Sequence, residues 1–165
     1  DLEFNRRTSL KERTRLLVDA MEEATGMQNM GEYLTTLFEI DALFLNQDRH
    51  LNNIALIRDR SRYKPCPIFD CGDSFLLDFA LYSPEIESRA YLTKAQCLPF
   101  KSRFTQTVHT AQALYGKQLA VNIDKTGIDT ILDKYLCYYP KQFHFLLKER
   151  IETVLMEQQK KLFEK

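Results

Sequence analysis

A chain of 165 residues, 44% hydrophobic and 28% charged, has the size and composition of one globular domain with a core of its own. Lys+Arg and Asp+Glu both number 23, so the formal net charge is zero, which argues against a general nucleic-acid or membrane-surface binder. No apolar run approaches the roughly 18 residues of a membrane span, and no signal-peptide pattern opens the chain.

Residues 1–8 are polar and expected to fray. Ser9 and Glu12 form a capping box, a hydroxyl followed three residues on by a carboxylate. Leu16, Leu17, Ala20, Met21 and Ala24 follow at helical spacing, and Gly26 suits the end, so a helix is expected over about 10–25. Gly26 to Gly31 carries the two glycines of a phosphate-binding loop. Glu32-Tyr33 stands where Lys-Ser/Thr must be and no strand precedes it, so the segment reads as a helix–helix connection.

Glu32 to Leu45 is apolar on nearly all sides and reads as a buried helix. Asp41 sits within it. A buried carboxylate needs a partner, which Arg49 or His50 could supply; the alternative is that Asp41 lies on a wet face. Beyond it, Ile54–Ile57 and Pro67–Phe69 read as the strands of a hairpin, with a cationic turn over Arg58–Lys64 and a second strand ending at Asp70. Residues 73–100 read as irregular or short helices. Phe104 to Leu119 reads as a helix and Gly127 to Tyr138 as a short amphipathic one. Pro140 is placed to open a last helix running to about residue 160, with its polar tail, Glu157 to Lys165, extending into solvent. The expected fold is mainly α with a small β-hairpin, in one domain. His109 and His144 fall in partly apolar helical stretches and read as structural.

Cys66, Cys71, Cys97 and Cys137 form no C-x-x-C pair and have no His at zinc-finger spacing. They read as reduced thiols of a cytoplasmic protein.

Asn46 to Asp78 concentrates the chemistry. Asp48, His50 and Asn53 share one short loop, and Asp70 precedes Cys71-Gly72. Phosphoryl transfer asks for a carboxylate to orient the attacking hydroxyl and for oxygen ligands to magnesium. Asp48 can be that carboxylate, Asn53 can offer an amide oxygen and Asp70 a charged one. His50 can hold the loop or stabilise charge on the transferring phosphate. The pattern follows the logic of the protein-kinase catalytic loop and its metal-binding Asp, with Cys71 in place of the Phe. The bland alternative is that Asp48 and Asn53 are loop formers.

Asn46-Gln-Asp-Arg-His-Leu-Asn-Asn53 followed by Pro67-Ile-Phe-Asp-Cys-Gly-Asp-Ser74 resembles the catalytic half of HipA-like serine/threonine kinases, over about residues 33–78. The Asp-Arg-His-x-x-Asn part is also similar to the phosphatidylinositol kinases. The resemblance implies a kinase-like C-terminal lobe, with Asp48 as catalytic base and His50 beside it, and with Asn53 and Asp70 as magnesium ligands. It further implies that Asp48, Asn53 and Asp70 serve bound ATP, and that a protein hydroxyl accepts the phosphate. Such kinases often belong to bacterial toxin–antitoxin pairs, which makes an antitoxin a possible partner. The family also needs an N-terminal lobe with a phosphate-covering loop and a strand lysine. Nothing ahead of Asn46 provides either, and the chain begins at Asp1 rather than Met. It is therefore expected to be the C-terminal lobe of a longer protein, weakly active or inactive alone. Two other readings stand beside this one: a kinase-like module that binds a partner without chemistry, and a relative of the lipid kinases.

Overall fold

The computed structural model describes residues 8–163. The expected fraying of the first residues concerns positions that, apart from Thr8, lie outside that range. Helix α1, Leu10–Thr25, starts where the capping box sets it: Glu12 N–H donates to Ser9 Oγ at 3.2 Å, and Ser9 N–H donates to the Glu12 carboxylate at 3.3 Å. Gly26 ends it in the left-handed conformation, φ 72°, which costs glycine nothing.

Helix α2, Met30–Phe44, is the axis of the molecule. It packs against α1, against α4 (Phe104–Tyr115) and against α6 (His144–Leu162). Leu34, Leu37, Phe38 and Ala42 are all but sealed from solvent, and Val108, Phe104, Phe100 and Val154 close over them. Gly31 belongs to this packing rather than to a phosphate loop. Any Cβ there would overlap the ring of Tyr115. The connection between α1 and α2 is thus a helix–helix turn, as its sequence suggests.

Glu39 is also buried in α2, which the local pattern does not announce. Its carboxylate accepts from Gln112 Nε2 at 2.7 Å and from the backbone N–H groups of Gln118 and Leu119 at 3.2 and 2.8 Å. This explains why α4 stops at Tyr115 and not at residue 119. Gly116 leaves the helix at φ 84°, and the freed amides turn onto Glu39.

Strands β1 (Leu56–Asp59) and β2 (Arg62–Pro65) form a two-stranded antiparallel sheet, with Leu56 opposite Pro65 and Asp59 opposite Arg62. The hairpin expected from the sequence is present but shifted. Its turn is Arg60-Ser61, Arg58, Arg62 and Lys64 lie in the strands, and Pro67–Asp70 is not a strand. Pro65 and Pro67 have no N–H to donate to a ladder, so pairing ends before the apolar Ile68-Phe69. Asp59 stands opposite Arg62 at the closed end without forming an ion pair among the described residues.

The long connection 66–87 is irregular, with one short helix, α3 (Ser88–Leu92), before α4. Arg150 of α6 organises part of it. Its buried guanidinium donates to the carbonyls of Leu76, Tyr82 (2.7 Å) and Ser83 (2.9 Å) and lies over the Phe79 ring. Helix α5, Lys125–Tyr135, begins two residues earlier than its apolar pattern suggests because Asp124 caps it, accepting from Gly127 N–H at 2.7 Å. Leu43, Ile128 and Leu155 hold it to α2 and α6.

Two expectations about the C-terminus are corrected. Pro140 precedes a short 3-10 turn, Lys141–Phe143, and α6 opens only at His144. The end of α6 does not project into solvent: Gln158, Gln159 and Leu162 are buried. The Gln159 amide pairs with the Ile123 backbone, accepting from its N–H at 2.6 Å and donating to its carbonyl at 3.2 Å. Of the two histidines read as structural, His144 contacts the Tyr139 carbonyl at 2.8 Å, while His109 is exposed on α4. No helix among the described residues is long and apolar enough to cross a membrane.

Candidate functional site

The end of α2 delivers the chain to the site. Leu45 turns it in the left-handed conformation, φ 57°, with its side chain fully buried. Residues 46–50 then run without regular structure into a 3-10 turn, Leu51–Asn53. Asn46 and Arg49 point inward, and neither has any exposed surface. Asp48 and His50, between and beyond them, point outward.

Asn46 is a bridge. Its Nδ2 donates to Asp41 Oδ1 at 2.8 Å and reaches the Asp70 carbonyl at 3.4 Å, while its Oδ1 accepts from Asp48 N–H at 3.4 Å. One amide thus ties α2, the Asp48 loop and the Asp70 segment together. Arg49 does the same with more bonds. Nε and Nη2 donate to the two Asp41 oxygens at 2.8 and 2.9 Å. Nη1 donates to the carbonyls of Asn53 (3.0 Å) and Phe69 (2.7 Å), and Nη2 lies 3.6 Å from Cys71 Sγ. Asp41 is therefore buried and paired with Arg49, not His50, and the wet-face alternative is excluded. Burial pushes the Asp41 carboxyl up, and the Arg49 and Asn46 hydrogen bonds pull against that. Burial also opposes the Arg49 charge, but the bonds and charge of Asp41 outweigh it and hold the guanidinium above its ordinary value.

The four residues singled out from the sequence fall as follows. Asp48 and His50 have half-exposed side chains, with His50 Nε2 4.0 Å from Asp48 Oδ2. Asn53 is buried, and its Nδ2 donates to the Asp48 carbonyl at 3.0 Å, so the amide nitrogen is anchored and Oδ1 is the atom left over. Asp70 is exposed, with φ 54°, a backbone conformation that Asp tolerates better than most side chains. It meets the loop through its carbonyl on Asn46. Asp48, His50 and Asn53 are thus brought together directly, and Asp70 through the backbone.

A third carboxylate joins them. Asp73 accepts at its carbonyl from Gln47 N–H, 3.1 Å. Its own carboxyl is pushed up by partial burial and then by the negative charges of Asp48 and Asp78. Asp73 thus faces Asp48 across the joined loops. The sequence signal was present in Asp70-Cys-Gly-Asp73, but spacing alone does not say which of two nearby carboxylates turns toward the loop. Gln47 secures the far side by bonding the Tyr82 hydroxyl and accepting from Gln96 N–H at 3.3 Å. The Tyr33 hydroxyl, 3.1 and 3.2 Å from the carbonyls of Ala55 and Cys66, fastens the base of the hairpin to α2.

Asp48 presents a half-exposed carboxylate at the surface, a group that can accept a hydrogen bond from a hydroxyl brought to it. The Asn53 Oδ1 and the Asp70 carboxylate are hard oxygen donors of the kind magnesium takes. Among the described residues, no group of three or more His, Cys, Asp or Glu side chains is arranged to hold a metal ion. A set of one amide oxygen and one carboxylate suits an ion that substrate phosphates also ligate. No family model matches the chain, and no curated protein or solved structure matches it either.

Proposed function

We propose that this chain is the catalytic lobe of a HipA-like ATP-dependent kinase that phosphorylates a serine or threonine hydroxyl of a protein. Asp48 is the catalytic base: it accepts a hydrogen bond from the attacking hydroxyl and takes its proton as the phosphoryl group moves. His50, beside it, steadies the Asp48 carboxylate or the charge on the transferred group. Asn53 and Asp70 hold the magnesium that accompanies ATP, and that ion supplies charge neutralisation on the phosphates when bound. The observation that carries the reading is the Asn46–Arg49 network. It spends two buried polar side chains on holding the Asp48 loop against the Asp70 segment, a demand that positioning makes and a merely solvated turn does not.

The test is a calorimetric titration of magnesium-ATP into the wild-type chain and Asp70→Asn, followed by phosphotransfer to a generic protein acceptor for the wild type and Asp48→Asn. The expected result is magnesium-dependent binding lost in Asp70→Asn. Asp48→Asn should keep that binding and lose transfer by about 100-fold or more. Nucleotide binding that ignores magnesium and is unchanged in Asp70→Asn sinks the kinase reading and leaves a kinase-like binding module. Transfer to phosphoinositide in place of protein selects the lipid-kinase relative.

A further inference from the structure

The hairpin that connects Asn53 to Asp70 carries four cations within seven residues, of which Arg58 also donates to the Arg60 carbonyl and lies over the Tyr63 ring. Arg58, Arg60, Arg62 and Lys64 are all exposed, and among the described residues none of them makes an ion pair. Four cations elsewhere are in ion pairs: Lys125 with Glu152 at 2.7 Å, Lys148 with Asp129 at 2.8 Å, Arg89 with Glu157 at 3.1 Å and Arg49 with Asp41. Residues 58–64 thus hold four cations against one carboxylate, Asp59, in a chain of zero net charge.

The geometry of that element is specific. The register places Ile57, Asp59, Arg62 and Lys64 on one face and Leu56, Arg58, Tyr63 and Pro65 on the other. Leu56 packs toward the core, so the face of Arg62 and Lys64 is the outer one. Arg62 and Lys64 lie two residues apart on a strand, about 7 Å, which is the spacing of alternate side chains in any extended peptide. Among the described residues, β1 and β2 pair only with each other, so the sheet keeps open edges. Cations on an open edge repel a second copy of the same edge and accept an anionic strand.

The base of the hairpin decides what kind of anion fits. Asp48, Asp70 and Asp73 lie there, while the cations begin at β1 and continue through the tip, about 10 Å further out. A nucleic-acid backbone is negative throughout and would be repelled by the carboxylates it had to cross. A peptide can be negative at the hairpin and present a neutral hydroxyl at the site. We propose that β1–β2 captures an extended acidic segment of the protein substrate, with the carboxylates about three to six residues from the hydroxyl. The proposal rests on the phosphotransfer reading for its direction, since that reading supplies the hydroxyl.

The experiment is fluorescence anisotropy of a fluorescein-labelled peptide, a serine followed by a short glycine–alanine spacer and a run of glutamates, titrated without nucleotide. Proteins are the wild type and Arg62→Glu/Lys64→Glu. Both reversed positions are solvent-exposed, and circular dichroism verifies that the variant folds. The expected result is binding to the wild type, weakened about tenfold or more by the charge reversal and by raised salt. A lysine-for-glutamate peptide should not bind. Absence of peptide binding to the wild type overturns the proposal, as does binding undiminished in the charge-reversed protein, and so does tighter binding of an oligothymidylate of equal charge. Because no nucleotide is present, failure here leaves the magnesium-ATP test of Asp70 untouched, and failure of that test leaves this one readable.

Discussion

Arg49 and Asp41 meet in a two-pronged ion pair, Nε to Oδ2 at 2.8 Å and Nη2 to Oδ1 at 2.9 Å, with both side chains sealed from solvent. They lie eight residues apart in sequence, one near the end of a helix and the other in the loop beyond. The remaining guanidinium nitrogen reaches the carbonyls of Asn53 and Phe69. A charge in this position is expensive to orphan. Asp41→Ala should cost about 3–5 kcal/mol in urea unfolding, because it leaves a buried guanidinium unpaired. The double variant Asp41→Ala/Arg49→Met should lose less than Asp41→Ala alone. A cost below about 1 kcal/mol for Asp41→Ala would show that water reaches the pair and that it does not organise the loops.

Gly31 allows α2 and α4 to approach within the thickness of one ring. Gly31→Ala should destabilise by about 1–3 kcal/mol, since the added methyl displaces Tyr115. The mechanism is checked by a cycle with Tyr115→Leu, in which the Gly31→Ala penalty should shrink. An unchanged penalty in that background would place the strain in the helix backbone instead.

Thiol chemistry should separate the four cysteines. Cys97 is fully buried, and burial drives its thiol far up, away from the reactive thiolate. Cys137 is exposed. Ellman's reagent should therefore modify Cys137 quickly in the native protein and Cys97 only on unfolding, which mass spectrometry of the labelled peptides resolves. Prompt labelling of Cys97 under native conditions would mean that the core around Phe100 opens.

Asp73 gives the site a pH dependence with a defined sign. Partial burial and the charges of Asp48 and Asp78 raise its carboxyl in the folded state. The stability contributed by protonated Asp73 is fully present below the unfolded value, about 3.9, and is lost as pH rises through the higher folded value. Asp73→Asn removes the repelled charge, so it should melt at a higher temperature than the wild type at neutral pH. The gap should close below about pH 3.9, where the wild-type carboxyl is protonated in both states. A difference that persists unchanged into acid would assign the effect to packing.

Local pattern made much of the molecule legible. The capping box and the glycine that bound α1, the apolar character of α2 and the existence of a hairpin all follow from short-range rules, because each is decided by residues within a turn or two of one another. The hairpin register was not legible. Apolar Ile68-Phe69 looked more strand-like than Arg62-Tyr63-Lys64, yet the prolines remove the donors a ladder needs, and exposed strands tolerate cations. The polar end of α6 misled for a related reason. Gln158 and Gln159 are hydrophilic by composition but buried by context, and Gln159 satisfies the Ile123 backbone that would otherwise be orphaned.

By itself, the sequence determined that the chain is mainly helical with one hairpin, and it singled out Asp48, His50, Asn53 and Asp70 as the candidates for the proposed site. Apolar spacing and turn residues are enough for the first, because they act within a few residues of one another. Only the tertiary structure decided how those loops are held. It chose Arg49 over His50 as the partner of Asp41, made Asn46 the joint between Asp48 and Asp70, brought Asp73 into the electrostatic field of Asp48, and set the unpaired cations of the hairpin outside the acidic site. Each of these is a contact between groups whose pairing depends on which buried charges would otherwise go unsatisfied, and that is settled only when the whole core closes.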